Sequence, residues 1–536
     1  MKNISIKNML LAVLAMVMIS SCSKQLNLFP QNDLTSEDVY ATAAGYRQVL
    51  AKIYGGLATT GNVGPAGASD IQGLDEGSQS PFLRGFFNCQ ELPTDEAVVS
   101  WNDQTIKDFH NLSYSSADPF LKGMYARPIY NIMVANEYLR ESSDAKLAAR
   151  KIAGNDATNI KATRAEVRFL RAFNYWVMMD LFGRSTFITE ANEVGTTLPK
   201  ERSRSELFTY IETELKAIET ELKTARTVEY GRVDQGAAWA LLARLYLNAQ
   251  VYTGTARFTD AITYAQKVIN GGYSLHGNYR ELFMADNDKR TNEIIYAIAC
   301  DGLRARSYGN TTFFIHAAAG GDFADFGTNQ GWFGYRATKG LADKFPDLTG
   351  ATDRRAMFTT SLYGTSASQI VINDVSDFSN GLHVAKYRNI RSDGQAVTDP
   401  TTYWSDIDFP VFRLAEMYLI YAEATLRGGT GGDAAMALNY INLLRRRAHN
   451  GSSSADIVSS QLNLAFVLDE RARELYWEGH RRTDLVRYGL LTTGTYLWPW
   501  KGGVASGTAV DSKYNLFPVP ASNRTSNPNL TQNPGF

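Results

Sequence analysis

The predicted fold follows from two adjacent stretches, QGAAWALLARLYLNAQV at residues 235–251 and FTDAITYAQKVI at residues 258–269. In both, alanine and larger apolar residues recur every three or four positions, which is the period of an amphipathic helix. Alanine at the facing positions lets two helices approach closely across the short Thr-Gly turn between them. Such a hairpin, of tetratricopeptide type, cannot bury its own apolar side and has to stack on neighbouring hairpins.

The same arrangement recurs near the other end of the chain. Residues 412–426 and 434–447 have the same periodicity, and glycine pairs at 428–429 and 431–432 separate them. Two further helices with regular apolar spacing are predicted at 162–182 and 205–222. We therefore expect a mainly α fold, a scaffold of about four tetratricopeptide-like hairpins.

The region between the two hairpins differs in composition. Residues 270–408 are rich in glycine, threonine, asparagine and aromatic residues, with only short strand-like stretches such as 293–299. Long irregular insertions on a rigid scaffold are usually where binding sites lie. Residues 55–81 and 89–108 also have loop composition.

We predict one domain over residues 35–536. Its first helix should be capped by Thr35 or Ser36, because Glu37 and Asp38 suit a helix start. The helical scaffold is expected at about 35–60, 120–270 and 410–490. Loop-rich ligand-binding regions are expected at about 61–119 and 271–409, and an irregular segment at 491–536.

The first 22 residues have the pattern of an export signal. Lys2 and Lys7 precede an apolar run at 9–19, which is much shorter than the roughly 20 residues of a membrane span. Ser20, Ser21 and Cys22 follow, and bacterial lipoproteins are acylated at a cysteine in this position. We expect a signal peptide at 1–21, lipidation at Cys22 and a tether at 22–34; the alternative is an ordinary cleaved signal with a chance cysteine.

Composition excludes some classes of function. The net charge is -1, from 54 basic and 55 acidic residues, without the basic excess of a nucleic-acid-binding protein. Besides Cys22 the chain has only Cys89 and Cys300, for which two buried thiols are favoured over a disulfide.

Several sequence blocks resemble a known family. Together and in this order, they resemble the SusD/RagB family of Bacteroidetes outer-membrane lipoproteins, from the lipobox to the last residue. The blocks are 166–175 (EVRFLRAFNY), 413–416 (RLAE), 421–424 (YAEA), 470–475 (ERAREL), 477–487 (WEGHRRTDLVR), 517–520 (FPVP), 527–530 (NPNL) and 532–536 (QNPGF). Loops at 75–77, 88–89, 91–96 and 281–288 are especially similar to the starch-binding founding member of that family.

The resemblance implies a subunit that captures substrate and is not an enzyme. Such proteins are lipid-anchored on the outer membrane, cover a SusC-like TonB-dependent porin and pass oligosaccharides to it. Their tetratricopeptide units hold the porin, and the irregular remainder holds the sugar. Ser23–Gln25 lacks the acidic cluster that often marks surface export, so a surface or a periplasmic orientation stays open.

The resemblance also implies a set of ligand-binding residues. A sugar ring needs aromatic faces for its C–H side and polar groups for its hydroxyls. Starch-type α-glucans are the first expected ligand, although Val99 stands where the founding member has a second tryptophan and Gln104 replaces an asparagine. The alternatives are another glycan, or rings that only fill loop cores. The candidate residues are Trp101, Tyr308, Trp332, Asp75, Arg84 and Gln104.

Charged residues near the C-terminus allow an enzymatic alternative, an all-helical glycoside hydrolase or lyase. Glu470, Glu474, Glu478 and Asp484 could supply the two carboxylates of a glycosidase. Arginines surround them, however, and lower a carboxylate pKa where a catalytic acid needs a raised one. A web of ion pairs between helices is therefore favoured. A third alternative is a protein-binding scaffold without glycan affinity.

Metal and cofactor signals are weak. Asp286 and Asp288 could contribute to a Ca²⁺ site, although the EF-hand spacing and its glycine are absent. The sequence contains no HExxH, CxxC, GxSxG or GxxxxGK[ST] pattern. We expect no cofactor other than this possible calcium ion.

Overall fold

The computed structural model describes residues 35–65, 69–103, 105–192, 195, 197–320, 323–359 and 370–536. The signal peptide, the tether and Cys22 lie outside the described residues. The helices are α1 Ser36–Val39, α2 Ala43–Gly55, α3 Phe82–Glu91, α4 Ile106–Asn111, α5 Pro119–Glu141, α6 Asp144–Ala149, α7 Gly154–Phe182, α8 Arg204–Ile218, α9 Gln235–Leu247, α10 Ala249–Thr253, α11 Phe258–Ile269, α12 Thr311–Ala318, α13 Phe323–Phe326, α14 Lys339–Ala342, α15 Leu414–Leu426, α16 Ala434–Ala448, α17 Leu464–Leu475, α18 Arg481–Arg487 and α19 Ala521–Ser526.

Short strands form two-stranded antiparallel sheets. The strands are β1 Ala97–Val99, β2 Arg184–Phe187, β3 Lys200–Ser203, β4 Ile294–Ile298, β5 Tyr335–Ala337, β6 Phe358–Thr359, β7 His383–Val384 and β8 Phe409–Arg413. They pair as β1 with β5, β2 with β3, β4 with β8 and β6 with β7. The architecture is mainly α, as predicted.

The two predicted hairpins are present and stack on each other. Helix α9 packs against α11, α11 against α15, and α15 against α16. The helix predicted at 235–251 is interrupted at Asn248, whose side chain donates to the carbonyl of Arg244 at 2.9 Å. A side chain that bonds to its own backbone competes with helix hydrogen bonds, so α9 ends there and α10 begins a new turn.

The helical stack continues through the first half of the molecule. Helix α7 packs against α2, α5 and α8, and it starts at Gly154 instead of the predicted residue 162. Thr35 caps α1 in a capping box with Asp38, as the sequence predicts.

The helix predicted from residue 412 begins two residues later. Phe409–Arg413 forms β8 and pairs with β4, and all five of its residues are buried. Arg413 is still extended, at φ −142° and ψ 157°, and α15 begins at Leu414. An apolar run that is buried on every side lacks the one-sided pattern that separates a strand from a helix end.

The predicted loop over residues 89–108 is wrong at 89–91 and 106–108, which are helical, and at 97–99, which form β1. All ten residues of α3 are buried, including four polar ones, so the segment has no exposed face to give it helical periodicity. Helix α18 packs on α3 from the other end of the chain. The Gln90 side chain accepts from Thr483 Oγ1 at 3.0 Å and donates to Asp180 at 3.0 Å.

Other contacts join the same two distant segments. Arg481 Nη2 donates to Asp95 Oδ2 at 2.7 Å, and the Tyr114 hydroxyl donates to the Tyr514 carbonyl at 2.6 Å. These partners lie 386 and 400 residues apart in the sequence. Residues 82–114 and 476–517 thus share one core. Cys89 and Cys300 are buried and unpaired, which confirms the prediction of two thiols.

Candidate functional site

The two-stranded sheet of β1 and β5 positions Trp101. Val99 pairs with Tyr335 in this sheet and is completely buried, and the half-buried Trp101 follows the strand end. Its Nε1 donates to the Trp332 carbonyl at 3.0 Å. A Cβ atom on Gly334 would lie 2.0 Å from the Trp101 ring, so only glycine lets the indole lie on this backbone.

The three predicted rings are brought together. The ring centroids of Trp101 and Trp332 are 6.4 Å apart, and those of Trp332 and Tyr308 are 6.5 Å apart. All three side chains are half-buried, so part of each ring remains accessible. They are therefore not fully enclosed core residues.

Two further rings, which the sequence analysis missed, extend this surface. The Trp404 ring lies 4.9 Å from Tyr308 between centroids, and Tyr403 lies 6.2 Å from Tyr308. Both are half-buried. The signal for them in the sequence is an adjacent aromatic pair within the polar, loop-like segment 398–408. We call Trp101, Tyr308, Trp332, Tyr403 and Trp404 the aromatic platform.

His316, on helix α12, fills the space behind two rings of the platform. Its ring centroid is 4.9 Å from that of Trp332 and 4.5 Å from that of Tyr403. Its Nε2 lies 2.8 Å from the Tyr403 carbonyl, a bond that the neutral ring makes as donor. Burial lowers the pKa of His316, although the bond to Tyr403 opposes the shift. The platform thus rests on a neutral imidazole.

Arg84 lies beneath the platform on α3. Its guanidinium carbon is 4.6 Å from the Phe313 centroid and 5.6 Å from the Trp101 centroid, and its Nη1 donates to the Gly77 carbonyl at 3.2 Å. Burial lowers the pKa of Arg84, and its Nε has no hydrogen-bond partner among the described residues. Only 6 % of the residue is exposed, so in this structure Arg84 supports the rings and the loop.

Asp75 lies at the rim. The residue is exposed, and its Oδ1 accepts from the backbone N–H groups of Gly77 at 3.0 Å and Ser78 at 2.6 Å. A Cβ on Gly77 would lie 3.4 Å from both Asp75 Oδ1 and the Tyr308 Cβ, which places this loop beside the platform. Asp103, exposed and 4.0 Å from Arg84 Nη2, adds another carboxylate. Gln104 lies outside the described residues.

The backbone is strained next to the rings. Thr105, Phe333 and Thr402 have φ angles of 68°, 57° and 58°, in the left-handed region that side chains with a Cβ rarely adopt. Phe333 follows Trp332, and Thr402 precedes Tyr403. Strained residues of this kind concentrate at functional sites, where the surrounding structure holds them.

The C-terminal carboxylates form the predicted ion-pair web. Arg355 Nη1 lies 2.7 Å from Glu470 and 3.2 Å from Glu474, and Arg413 Nε lies 2.7 Å from Glu478. Burial alone would raise the pKa of Glu474, but Arg447, Arg413 and Arg355 hold it at about 2. These buried ion pairs join β8, α17 and the segment before α18. The pKa values of Glu470, Glu474 and Asp484 are lowered by neighbouring arginines, whereas a general acid needs a raised pKa.

A second carboxyl pair has the opposite character. Burial raises the pKa of Glu91 to about 7, and burial together with Glu91 raises that of Glu96 well above its ordinary value. Gly479 N donates to Glu91 at 2.6 Å, and both carboxyls are at most 1 % exposed. Although their pKa values would suit acid–base chemistry, no sugar can reach them.

The calcium site stays a prediction. Asp286 is buried and accepts from the Ser392 amide at 2.8 Å and the Ser392 hydroxyl at 2.7 Å, whereas Asp288 is exposed. Within the described residues, no three His, Cys, Asp or Glu side chains are grouped closely enough to hold a metal ion.

Among the cavities formed by the described residues, two larger ones contain none of the platform rings. One of about 350 Å³ is lined by residues that include Thr328, Asn389, Val397 and Thr402. A groove of about 840 Å³ lies between α2, α5 and the segments 188–192 and 197–199, with the exposed Met133 and Leu198 in its walls, and it contains none of the predicted site residues. Among the helices of the described ranges, none is long and apolar enough to cross a bilayer.

Comparison with known proteins gives a consistent result. The sequence profile of the SusD family matches residues 351–536. Starch-binding protein SusD of Bacteroides thetaiotaomicron is 36 % identical over 100 % of both chains, and SusD-like protein P25 of Formosa agariphila is 24 % identical over 91 % of this chain and 90 % of the relative.

Solved structures share the fold. A SusD superfamily protein from Parabacteroides distasonis superposes with a TM-score of 0.70 at 22 % identity, over 94 % of this chain and 100 % of that one. Surface glycan-binding protein A from Bacteroides thetaiotaomicron, in complex with laminarihexaose, superposes with a TM-score of 0.67 at 17 % identity, over 91 % and 99 % of the chains. Given 36 % identity to a relative along its whole length, this chain belongs to the SusD family.

Proposed function

We propose that the protein is a non-catalytic, cell-surface glycan-binding lipoprotein that captures oligosaccharides and delivers them to a TonB-dependent outer-membrane transporter. Starch-type α-glucans are its proposed ligands. One observation carries the proposal. The rings of Trp101, Trp332 and Tyr308 lie next to one another, and each of the three side chains is only half-buried.

The chemistry of the platform suits a sugar. Aromatic faces bind the C–H side of a pyranose ring, while polar groups at the rim exchange hydrogen bonds with hydroxyls. Asp75 and Asp103 supply exposed carboxylate acceptors at this rim. Because the rim is exposed to water, the expected affinity is modest, which suits a protein that has to release its ligand to a partner.

The relatives support the ligand class. One of them is named a starch-binding protein and matches this chain from end to end. Val99 has no ring and is completely buried, so this position adds nothing to the platform. Any α-glucan would therefore be bound by a set of rings that differs at this position from that of the founding member.

The anchor and the partner belong to the proposal as well. Cys22 would carry the acyl chains, and residues 22–34 would link it to α1. Replacing Cys22 with alanine should release the protein from the outer-membrane fraction, and labelled palmitate should be incorporated only by the parent chain. Affinity purification of the anchored protein should recover a TonB-dependent transporter.

The ring surface can be tested by calorimetry with maltoheptaose. We expect Trp332→Ala and Trp101→Ala each to weaken binding by about tenfold or more, since an aromatic contact of this type contributes up to about 1.5 kcal/mol beyond the buried area. The melting temperature should change little, because both rings are only half-buried.

Trp239→Ala is the matched control. Trp239 is also half-buried and donates through its indole N–H, to Glu219 at 2.8 Å, but it lies on α9 away from the platform. Its replacement should leave affinity unchanged. A large loss of stability in Trp101→Ala and Trp332→Ala would make these residues part of the core, and release of reducing sugar above background would contradict the non-catalytic assignment.

A further inference from the structure

The loop 399–406 carries two rings that the predicted ligand set does not include. We propose that Tyr403 and Trp404 form a second stacking arm of the aromatic platform. This arm binds the sugar units of a longer neutral oligosaccharide that extend beyond Trp101, Trp332 and Tyr308. The inference rests on the proposed glycan-binding function and adds chain-length selectivity to it.

The rings form a continuous path. Successive centroids from Trp101 to Trp332, Tyr308 and Trp404 are 6.4, 6.5 and 4.9 Å apart. Each of the four side chains is half-buried. A carbohydrate lying on the first three rings would therefore meet Trp404 as the next apolar face.

A buried carboxylate holds the arm in place. Asp399 accepts hydrogen bonds from the backbone N–H groups of Tyr403 at 3.1 Å and Trp404 at 2.9 Å. It also accepts from Thr401, at 3.0 Å from the amide and 2.7 Å from the hydroxyl. Burial opposes ionisation, but these bonds keep the pKa of Asp399 below its usual range. The backbone that carries the two rings is thus fixed before any ligand arrives, which reduces the entropy lost on binding.

The other end of the loop is fixed to a neighbouring segment. Asp406 accepts from Gly302 N at 2.8 Å and Thr398 N at 2.6 Å. Thr402, between these anchors, has a φ of 58°, although it is β-branched. A strained residue persists only where its surroundings hold it, and such residues occur mainly at binding sites. The strain is therefore consistent with a loop whose shape is required for binding.

Arg306 adds a polar group at the end of the arm. Its guanidinium carbon lies 6.0 Å from the Trp404 centroid, and its Nε donates to the Gly302 carbonyl at 2.8 Å. The side chain is only half-buried, so its other N–H groups can donate to sugar hydroxyls beside the ring.

The proposal predicts how affinity depends on chain length. Calorimetry would compare maltotriose with maltoheptaose, and laminaribiose with laminarihexaose, on the parent protein and on Trp404→Ala. We expect the parent to bind the longer member of a pair more tightly. Trp404→Ala should weaken that longer ligand by about tenfold, the upper range of one aromatic contact, and leave the shorter ligand unchanged.

Three variants complete the design. Trp404→Phe keeps a ring and should restore most of the affinity for the longer ligand. Trp332→Ala should weaken short and long ligands alike, and Trp239→Ala should affect neither. Melting temperatures of all variants show whether the fold is retained.

Each outcome has one meaning. If the parent binds the oligosaccharides and Trp404→Ala has the same affinity for both lengths, the proposed stacking arm is wrong, but the glycan-binding function is retained. If Trp404→Ala weakens short and long ligands equally, Trp404 belongs to the primary ring set and the length selectivity is wrong. If the parent binds none of the four oligosaccharides, the proposed glycan-binding function is wrong, and the proposed stacking arm is wrong as well.

Discussion

Gly334 controls the position of Trp101. Its missing side chain leaves space for the indole, since a Cβ there would lie within 2.0 Å of the ring. Gly334→Ala should displace the half-buried Trp101 ring, while the pairing of β1 with β5 should be retained. We expect a loss of about 1 kcal/mol in glycan-binding free energy, roughly fivefold, measured by calorimetry.

A second glycine provides the control for this experiment. A Cβ on Gly277 would have no heavy atom within 4 Å, so Gly277→Ala should leave binding unchanged. Unchanged affinity in Gly334→Ala would show that glycan binding does not depend on the position of the Trp101 ring.

The Glu91 and Glu96 pair makes stability depend on pH. Because burial raises both pKa values, the folded protein binds more protons than the unfolded chain between the ordinary pKa of 4.5 and about 7. Stability contributed by this pair is therefore lost as the pH rises through that window. Glu96→Gln supplies a permanent donor to Glu91 and should raise the free energy of unfolding by about 1–2 kcal/mol at pH 8.

The gain should be much smaller at pH 5, where the pair already holds its proton. Denaturant titrations at the two pH values measure the difference. Glu229→Gln, at a largely exposed carboxylate, is the control and should show no such pH dependence. Equal effects of Glu96→Gln at both pH values would mean that the pair holds no proton.

At the scale of elements, Arg413 joins β8 to the C-terminal segment. Its Nε is 2.7 Å from Glu478 and its Nη1 is 3.1 Å from Glu293, and all three side chains are buried. Removing one partner of a buried ion pair leaves an uncompensated charge in the core. Arg413→Met should lower the free energy of unfolding by about 3–5 kcal/mol, measured by chemical denaturation.

An exposed pair gives the comparison. Arg202 and Glu206 are 2.8 Å apart, with about half of each side chain exposed. Arg202→Met should therefore change stability by less than about 1 kcal/mol. A similar small change in Arg413→Met would show that the buried web contributes little to stability.

Elements with one buried face were predicted correctly from the sequence. The helix over 258–269 matches α11 residue for residue, since its alanines and larger apolar residues lie on one side. Elements buried on all sides were missed. Helix α3 and strand β8 have no exposed face, so their sequences lack a periodic pattern of apolar and polar residues. The end of α3 was therefore predicted as loop, and the end of β8 as the start of a helix.

At the scale of the whole molecule, two groups of buried carboxylates change the stability in opposite directions as the pH rises. The arginine-paired ones, such as Glu474 with a pKa of about 2, contribute stability above pH 4.5 that is lost as the pH falls. Carboxyls with a raised pKa, such as Asp408 at about 7, contribute stability that is lost as the pH rises toward that value. Burial also lowers the pKa of histidines such as His383, to about 4, and their contribution is lost as the pH falls below 6.5, so stability should be highest near pH 6.

Melting temperatures across pH 3 to 9 check this prediction. The curve should fall steeply below about pH 4 and more gently above pH 6. A stability that rises steadily to pH 9 would contradict the assigned protonation of the buried acids.

The candidate site was predicted only in part. Trp101, Tyr308 and Trp332 came from the family resemblance, and the structure places them in one surface although they are up to 231 residues apart in the sequence. Tyr403 and Trp404 were missed because their role depends on contact with Tyr308, which no local pattern shows. Arg84 was expected at the ligand, and its buried position beneath Trp101 depends on the unpredicted helix α3.

The shared core of residues 82–114 and 476–517 has a consequence for biosynthesis. During synthesis the earlier segment appears hundreds of residues before the later one that covers it, with α3 and its apolar side chains left without their partner. Contacts of such long sequence separation form slowly and leave the chain open to aggregation in the meantime. Maturation should therefore depend on chaperones that shield this strip until the later segment has been made.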